Sequence, residues 1–129
     1  MRSILSRRDL LRTTGAAGVG LATVGFHPGV LAQEPKRVRV LSIGVIGTIG
    51  GHDRKQVAEH PAADIVGLCD VDSEVLTEAH GEHPDAFTCA DYRAAFRDHA
   101  DEFDAVIVAT PDHSHAPIVL TALAHGKHV

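Results

Sequence analysis

Short β-branched runs alternate with helix-like stretches from residue 33 onward, and this alternation constrains the fold more than any other feature. The runs are almost wholly apolar, which is typical of strands that are covered on both faces. Strands separated by helices of this length form βαβ units, so we predict an α/β fold with a doubly wound, Rossmann-like parallel sheet. The predicted strands span residues 38–46, 64–70, 86–89 and 103–110, and residues 127–129 begin a fifth.

The segments between the strands carry recognisable helix ends. Ser73 is predicted to cap the helix after the second strand, and Asp91 to cap a helix over residues 92–99. Ser114 is predicted to cap the last helix, with Pro117 tolerated in its first turn. Right-handed crossovers between parallel strands then leave little freedom in the topology.

In a doubly wound sheet, ligands bind at the carboxyl ends of the strands. From the end of the first predicted strand the chain reads GVIGTIGGHD, residues 44–53, which places glycines at Gly44, Gly47, Gly50 and Gly51. Glycines let the chain turn tightly and let backbone N–H groups approach a pyrophosphate at the start of the next helix. A plain tight turn is the alternative interpretation, because glycines follow the first strand in many α/β folds.

Asp70 ends the second predicted strand, 20 residues after Gly50. At this spacing a carboxylate accepts hydrogen bonds from the adenosine ribose of a dinucleotide. A carboxylate there also repels a 2′-phosphate, so NAD is the predicted cofactor and NADP is the alternative. A second interpretation is that Asp70 and Asp72 cap the following helix, where an acid suits the N-terminal dipole.

One pair of histidines and one pair of cysteines raise the questions of a metal site and of a disulfide bond. His113 and His115 flank one residue, but without a third ligand in sight the pair indicates a solvated helix start, and no metal site is predicted. Cys69 and Cys89 end strands that are neighbours in a doubly wound sheet. Directly paired parallel strands rarely hold a disulfide of good geometry, so two free, buried thiols are favoured.

The charge balance excludes one class of partner. The formal net charge of −5 becomes −8 when the four arginines and one aspartate of residues 1–32 are left out. Such an acidic balance argues against nucleic acid as a partner. With 44% hydrophobic and 22% charged residues, the composition is that of a globular chain, and its 129 residues allow one domain at most.

Residues 1–32 are predicted to be a twin-arginine export signal, so that the domain of residues 33–129 is periplasmic or otherwise exported. Arg7 and Arg8 precede leucines and a small, weakly apolar stretch, and a plausible cleavage point follows Ala32. An amphipathic first helix is the alternative, but five glycines between residues 15 and 29 would cost it about 1 kcal/mol each. The apolar run is shorter than the ~20 residues that a stable membrane span needs.

Four segments resemble the N-terminal, nucleotide-binding domain of the Gfo/Idh/MocA oxidoreductases: IGVIG, CDVDSEVL, DYRAAF and, above all, DAVIVATPDHSHAPIVLTALAHGKHV. The resemblance implies NAD(P)-dependent oxidation of sugars or polyols. It also implies that Asp70 holds the adenosine ribose and that Thr110 and Pro111 pass beside the nicotinamide ribose. His113 and His115 would lie at the rim of the same crevice.

The sequence departs from this family pattern in two places. Ile49 stands where one register of the glycine turn has a second glycine, so an isoleucine is expected beside the pyrophosphate. The chain also ends at Val129, before the family's Glu-Lys-Pro motif and its C-terminal α+β domain. We therefore predict no catalytic residue in this chain and expect an incomplete domain, for which a complementing domain or a homo-oligomer is a possible partner. The alternatives are a non-catalytic dinucleotide-binding module and a non-functional truncated product.

Overall fold

Four parallel strands form one sheet in the computed structural model, which describes residues 36–129. The strands are β1 (Val38–Ile43), β2 (Ala63–Cys69), β3 (Phe87–Cys89) and β4 (Ala105–Val108). Their order across the sheet is β3-β2-β1-β4, and every pair is parallel. The predicted doubly wound, Rossmann-like sheet is therefore confirmed. The predicted export signal lies outside the described residues.

Helices connect the strands in the order that the sequence predicts. They are α1 (Gly47–Ala58), α2 (Ser73–Glu82), α3 (Tyr92–Asp98), which is followed by a 3₁₀ turn (Ala100–Glu102), and α4 (Asp112–Ala124). After α4, a single parallel bridge joins His128 to Ala105 at the start of β4, which is the predicted position of a fifth strand. Within residues 36–129, no helix is both long enough and apolar enough to cross a membrane.

Apolar side chains cover both faces of the sheet, as the continuous apolar strands predict. One buried cluster joins the sheet to α3 and α4, and it consists of Leu41, Ile43, Cys69, Ala95, Phe96, Phe103, Val106, Ile118 and Ala122. A smaller cluster joins the sheet to α2 and consists of Val45, Leu68, Ala79 and Ala86. The two clusters hold the carboxyl ends of the strands in fixed positions.

β1 is shorter than predicted, because it ends at Ile43 and not at residue 46. Gly44 has a φ of 82°, in the left-handed region that glycine adopts at no steric cost, and this conformation ends the strand. Its N–H donates to the Cys69 carbonyl at 2.9 Å, so the turn remains attached to β2. The glycine turn therefore begins at Gly44, and α1 begins at Gly47.

The cap of α2 is Asp72 and not Ser73, which is the first helical residue. The Asp72 carboxylate accepts hydrogen bonds from the N–H groups of Glu74 and Val75 at 2.9 and 3.4 Å. A carboxylate suits this position because it also interacts favourably with the helix dipole. The predicted cap of α3 is confirmed, since Asp91 accepts from the Arg93 N–H at 3.0 Å.

The start of α4 also differs from the prediction. The helix begins at Asp112, so Ser114 lies within its first turn and is not the cap. The Ser114 N–H already donates to the Pro111 carbonyl at 2.8 Å, which places Ser114 inside the helix. Pro117 consequently lies in the second turn, one turn later than predicted.

Candidate functional site

A cavity of about 650 Å³ lies at the carboxyl ends of the strands, where a doubly wound sheet binds its ligands. It lies between the loop after β1 and the loop after β4, on the two sides of the point where the strand order reverses. Loops after all four strands contribute to its wall. Among the residues lining it are Gly44, Ile46, Asp70, Val71, Ala90, Asp91, Thr110, Pro111 and His113.

At three of the four predicted glycines, the turn requires a residue without a Cβ or with a positive φ. Gly44 and Gly47 have positive φ angles of 82° and 94°, which other residues adopt only with strain. A Cβ on Gly50 would lie 2.4 Å from the Gly44 carbonyl oxygen, so only glycine fits there. Gly51 differs, because the nearest atom to its Cβ position is 4.0 Å away. The G-x-x-G-x-x-G register of residues 44, 47 and 50 thus forms the turn.

The N-terminus of α1 is open to an anion. Ile46 precedes the helix without a side-chain cap, and no acidic residue lies in its first turn. The unpaired N–H groups and the positive end of the dipole favour a phosphate at such a position. Ile46 lines the cavity and is 48% exposed, whereas Ile49 is 68% exposed and is not among the residues that line the cavity. The isoleucine that faces the ligand space is therefore Ile46, not the predicted Ile49.

The Asp70 carboxylate accepts hydrogen bonds from two backbone segments beside the cavity, the glycine turn and the start of α2. Its Oδ2 accepts from the Val45 N–H at 3.0 Å and its Oδ1 from the Asp72 N–H at 3.1 Å. The sequence left open whether Asp70 binds the ribose or caps the following helix. The cap of α2 is Asp72 and not Asp70. Each carboxylate oxygen accepts more than one hydrogen bond, so Asp70 retains capacity for a ribose hydroxyl.

The loop after β4 contributes three of the predicted residues, Thr110, Pro111 and His113, to the cavity wall. The Thr110 Oγ1 is buried and has no hydrogen-bond partner within residues 36–129. A buried hydroxyl without a partner is costly, and a ligand hydroxyl would satisfy it. His115 is not among the residues that line this cavity. Its Nε2 is 2.6 Å from the Thr110 carbonyl oxygen, and this contact stabilises the loop after β4.

Two features of the site are absent from the sequence prediction. Tyr92 and Arg93 line the cavity beside Asp91, and the Arg93 guanidinium lies 4.6 Å from the centre of the Tyr92 ring. The segment DYR marks the start of α3, but nothing in it indicates which side chains face the ligand. The second feature is Arg54, which is only 5% exposed and donates to the Val45 carbonyl.

Arg54 also pairs with Glu82, the last residue of α2, at 2.8 Å. The hydrogen bond from Arg54 holds the pKa of the Glu82 carboxyl below its usual value, so Glu82 is ionised at neutral pH. Because Glu82 is half exposed, the pair fixes the guanidinium in place more than it stabilises the domain.

Cys69 and Cys89 are free thiols and directly paired residues of β2 and β3. The hydrogen bond with Cys89, together with burial, raises the pKa of the Cys69 thiol well above its usual range. The same hydrogen bond lowers the pKa of Cys89. Cys69 therefore stays protonated and forms an apolar part of the cavity wall. Within residues 36–129, no three His, Cys, Asp or Glu side chains are grouped to hold a metal ion.

A Rossmann-type dinucleotide-binding domain is the class of protein that this sheet, turn and cavity define. Residues 38–129 match the family model for the Gfo/Idh/MocA oxidoreductases, described as an oxidoreductase family with an NAD-binding Rossmann fold. The chain belongs to this family, and the predicted family and NAD-binding domain are confirmed.

Known proteins of similar sequence and structure support this family assignment. A glycosyl hydrolase family 109 protein of Saccharopolyspora erythraea is 34% identical over 96% of this chain and 32% of its own length. The scyllo-inositol dehydrogenase of Lactobacillus casei with NAD(H) and scyllo-inositol is 26% identical, with a TM-score of 0.65 over 73% of this chain and 27% of that one. The myo-inositol 2-dehydrogenase of Lactobacillus plantarum is 26% identical, with a TM-score of 0.64 over 71% and 26%. The chain spans about a third of the length of the curated relatives that it matches.

Proposed function

We propose that NAD binds in the cavity at the carboxyl ends of the strands. The observation that carries the proposal is the turn at Gly44 and Gly50, where a Cβ would collide with backbone, directly before the uncapped start of α1. The residues present fit the cofactor. The start of α1 has no side-chain cap and no acidic residue in its first turn, Asp70 retains acceptor capacity for the adenosine ribose, and the buried Thr110 hydroxyl lacks a partner within residues 36–129.

The activity that we propose is oxidation of a sugar or polyol, by an oxidoreductase of which this chain is the dinucleotide-binding part. The inositol dehydrogenases of similar fold support this substrate class. When bound, the nicotinamide would supply hydride transfer, while residues of this chain bind and orient the cofactor. No residue of the cavity is assigned as catalytic. The groups that act on the substrate would come from a complementing domain or from a second subunit.

NAD-dependent glycoside hydrolysis is the second candidate, because the curated relatives at 25–34% identity are named glycosyl hydrolase family 109 proteins. Glycosidases that use this cofactor are known, and hydrolysis leaves its oxidation state unchanged overall. The two candidates therefore differ in their products. Net formation of NADH from free polyols supports the oxidoreductase, and release of free sugar from a glycoside without net NADH supports the hydrolase.

Replacement of Asp70 by alanine tests the binding proposal. We expect Asp70→Ala to weaken NAD binding by about 1.5–3 kcal/mol, the range for a hydrogen bond to a charged group. The parent should prefer NAD over NADP, and the variant should lose much of that preference because the charge that repels the 2′-phosphate is gone. Calorimetric titration of both cofactors measures these effects.

Asp72→Ala is the matched control for Asp70→Ala. It removes the cap of α2 and should lower the free energy of unfolding by about 0.5–2 kcal/mol while leaving NAD affinity unchanged. Equal affinity of the parent for NAD and NADP would contradict the ribose role of Asp70. Absence of binding of either cofactor would contradict the proposed function itself.

We also propose that the protein is exported by the twin-arginine route, on the basis of residues 1–32. Fused to a reporter, this segment should direct export, and changing Arg7 and Arg8 together to lysine should stop it, because the receptor reads the paired guanidinium groups. Changing Arg2 and Arg12 to lysine keeps the pair and should leave export intact. Fractionation of the periplasm measures the reporter, and equal export of both double variants would refute the proposal.

A further inference from the structure

Val45 is the one residue of the glycine turn whose backbone is held by side chains on both of its sides. Its N–H donates to the Asp70 carboxylate at 3.0 Å, and its carbonyl accepts from the Arg54 guanidinium. Val45 itself is fully buried. Asp70 directly follows β2 and Arg54 lies in the middle of α1, so the turn is fixed by contacts from side chains outside it.

The hydrogen bond from Arg54 determines the direction of a neighbouring N–H group. A trans peptide is planar, so the N–H of Ile46 points opposite to the carbonyl of Val45. Arg54 draws that carbonyl into the interior, beneath the turn. The Ile46 N–H therefore points away from Arg54, and Ile46 lines the cavity. This N–H has no hydrogen-bond partner within residues 36–129.

Burial of Arg54 is too complete for a side chain that only fills space. Its side chain is 6% exposed, and its Nε has no hydrogen-bond partner within residues 36–129. Burying a guanidinium is costly, and a hydrophobic residue of similar size would pack there at lower cost. The cost is explained if the charge serves the ligand space above the turn.

We propose that Arg54 is a positioning residue for the pyrophosphate. It holds the peptide between Val45 and Ile46 so that the Ile46 N–H faces the phosphates, and its charge adds to the positive end of α1. Glu82 accepts a hydrogen bond from the other terminal nitrogen of the guanidinium and helps to keep it in place. The inference rests on the proposed binding of NAD in this cavity, and it adds a residue outside the cavity lining to the binding machinery.

The test separates the phosphate from the ribose by comparing two probes, ADP and adenosine, on the chain of residues 1–129. Both probes carry the adenosine ribose that Asp70 is proposed to bind, but only ADP carries the pyrophosphate. We expect Arg54→Met to weaken ADP binding at least tenfold and adenosine binding less than twofold, as measured by calorimetric or NMR titration. Arg54→Lys retains a donor for the Val45 carbonyl and should recover ADP affinity to within about threefold of the parent.

An amide NMR spectrum gives a second measurement that does not depend on affinity. Addition of ADP to the parent should shift the Ile46 amide proton strongly, and Arg54→Met should abolish this shift while the other amide signals show an intact fold. Arg97→Met, which removes an arginine of an exposed ion pair on α3, is the control and should change neither measurement.

The outcomes distinguish this inference from the function on which it rests. Equal ADP affinity in the parent and Arg54→Met, or an Ile46 amide that ADP does not shift, would overturn the role of Arg54 alone. A parallel loss of ADP and adenosine binding would show a general structural role and would also overturn it. If the Met variant does not fold, a Lys variant that folds but binds ADP tenfold more weakly overturns it as well. A parent that binds neither probe nor NAD would overturn the proposed function, and this inference with it.

Discussion

Gly50→Ala should reduce NAD affinity at least a hundredfold, or about 2.7 kcal/mol or more. The added Cβ would lie 2.4 Å from the Gly44 carbonyl oxygen and 3.3 Å from the Ala109 Cβ. Backbone atoms cannot move aside as the end of a flexible side chain does, so the turn must open. We also expect the free energy of unfolding to fall by about 1–3 kcal/mol, as for other overpacked positions.

Gly51→Ala is the control for this prediction, because it lies next to Gly50 in the same helix. Its Cβ would meet nothing closer than the Val45 carbonyl oxygen at 4.0 Å. Alanine favours the helix over glycine, so Gly51→Ala should stabilise the domain by up to about 1 kcal/mol and leave NAD affinity intact. Titration of NAD and urea unfolding measure both variants, and wild-type affinity in Gly50→Ala would refute the role of the turn.

Phe103→Ala should lower the free energy of unfolding by about 3–5 kcal/mol, the range for a fully buried phenylalanine. The ring packs edge-on against Phe96 at 5.4 Å between centres, and the Lys127 ammonium lies 5.0 Å from its centre. Removing it leaves a cavity between the start of β4, α3 and the segment after α4. Many domains have little more stability than this, so the variant should be largely unfolded when warmed.

Urea unfolding of Phe103→Ala and of a surface variant measures this effect. Leu120 is also apolar, but it is 66% exposed on α4, and Leu120→Ala should change the free energy of unfolding by less than about 0.5 kcal/mol. A loss below 1 kcal/mol in Phe103→Ala would contradict the packing described for the cluster on the α3 and α4 side. The comparison shows whether the loss in free energy of unfolding comes from burial of the side chain or merely from its being apolar.

The sequence predicts the fold well because its main signal is local. Continuous apolar runs between helix-like segments are typical of strands covered on both faces, and right-handed crossovers then leave little freedom in the topology. The boundary errors have local causes too. Val45 and Ile46 look like strand residues, but the positive φ of Gly44 already turns the chain before them.

The candidate site is less predictable, because part of it depends on residues that are distant in sequence. Arg54 stands in the polar run HDRK, a pattern that indicates a solvated helix face. In the structure it is buried and pairs with Glu82, which follows 28 residues later. Asp70 was identifiable from its spacing after Gly50, whereas its hydrogen bond to the Val45 N–H requires the folded turn. His115 likewise follows the family pattern, yet it braces Thr110 and does not line the cavity.

The strand order also has a consequence for the synthesis of the chain. β1 pairs with β4 as well as β2, and Arg39 of β1 is joined to Asp104, beside β4, across 65 residues. At a synthesis rate of 5–20 residues per second, Asp104 leaves the ribosome roughly 3 to 13 s after Arg39. During this interval the edge of β1 that β4 later covers is bare, and a bare strand edge pairs readily with other chains. The nascent chain is therefore most prone to aggregate after β2 has been made, and a chaperone acting in those seconds would protect the edge that the Arg39–Asp104 ion pair finally closes.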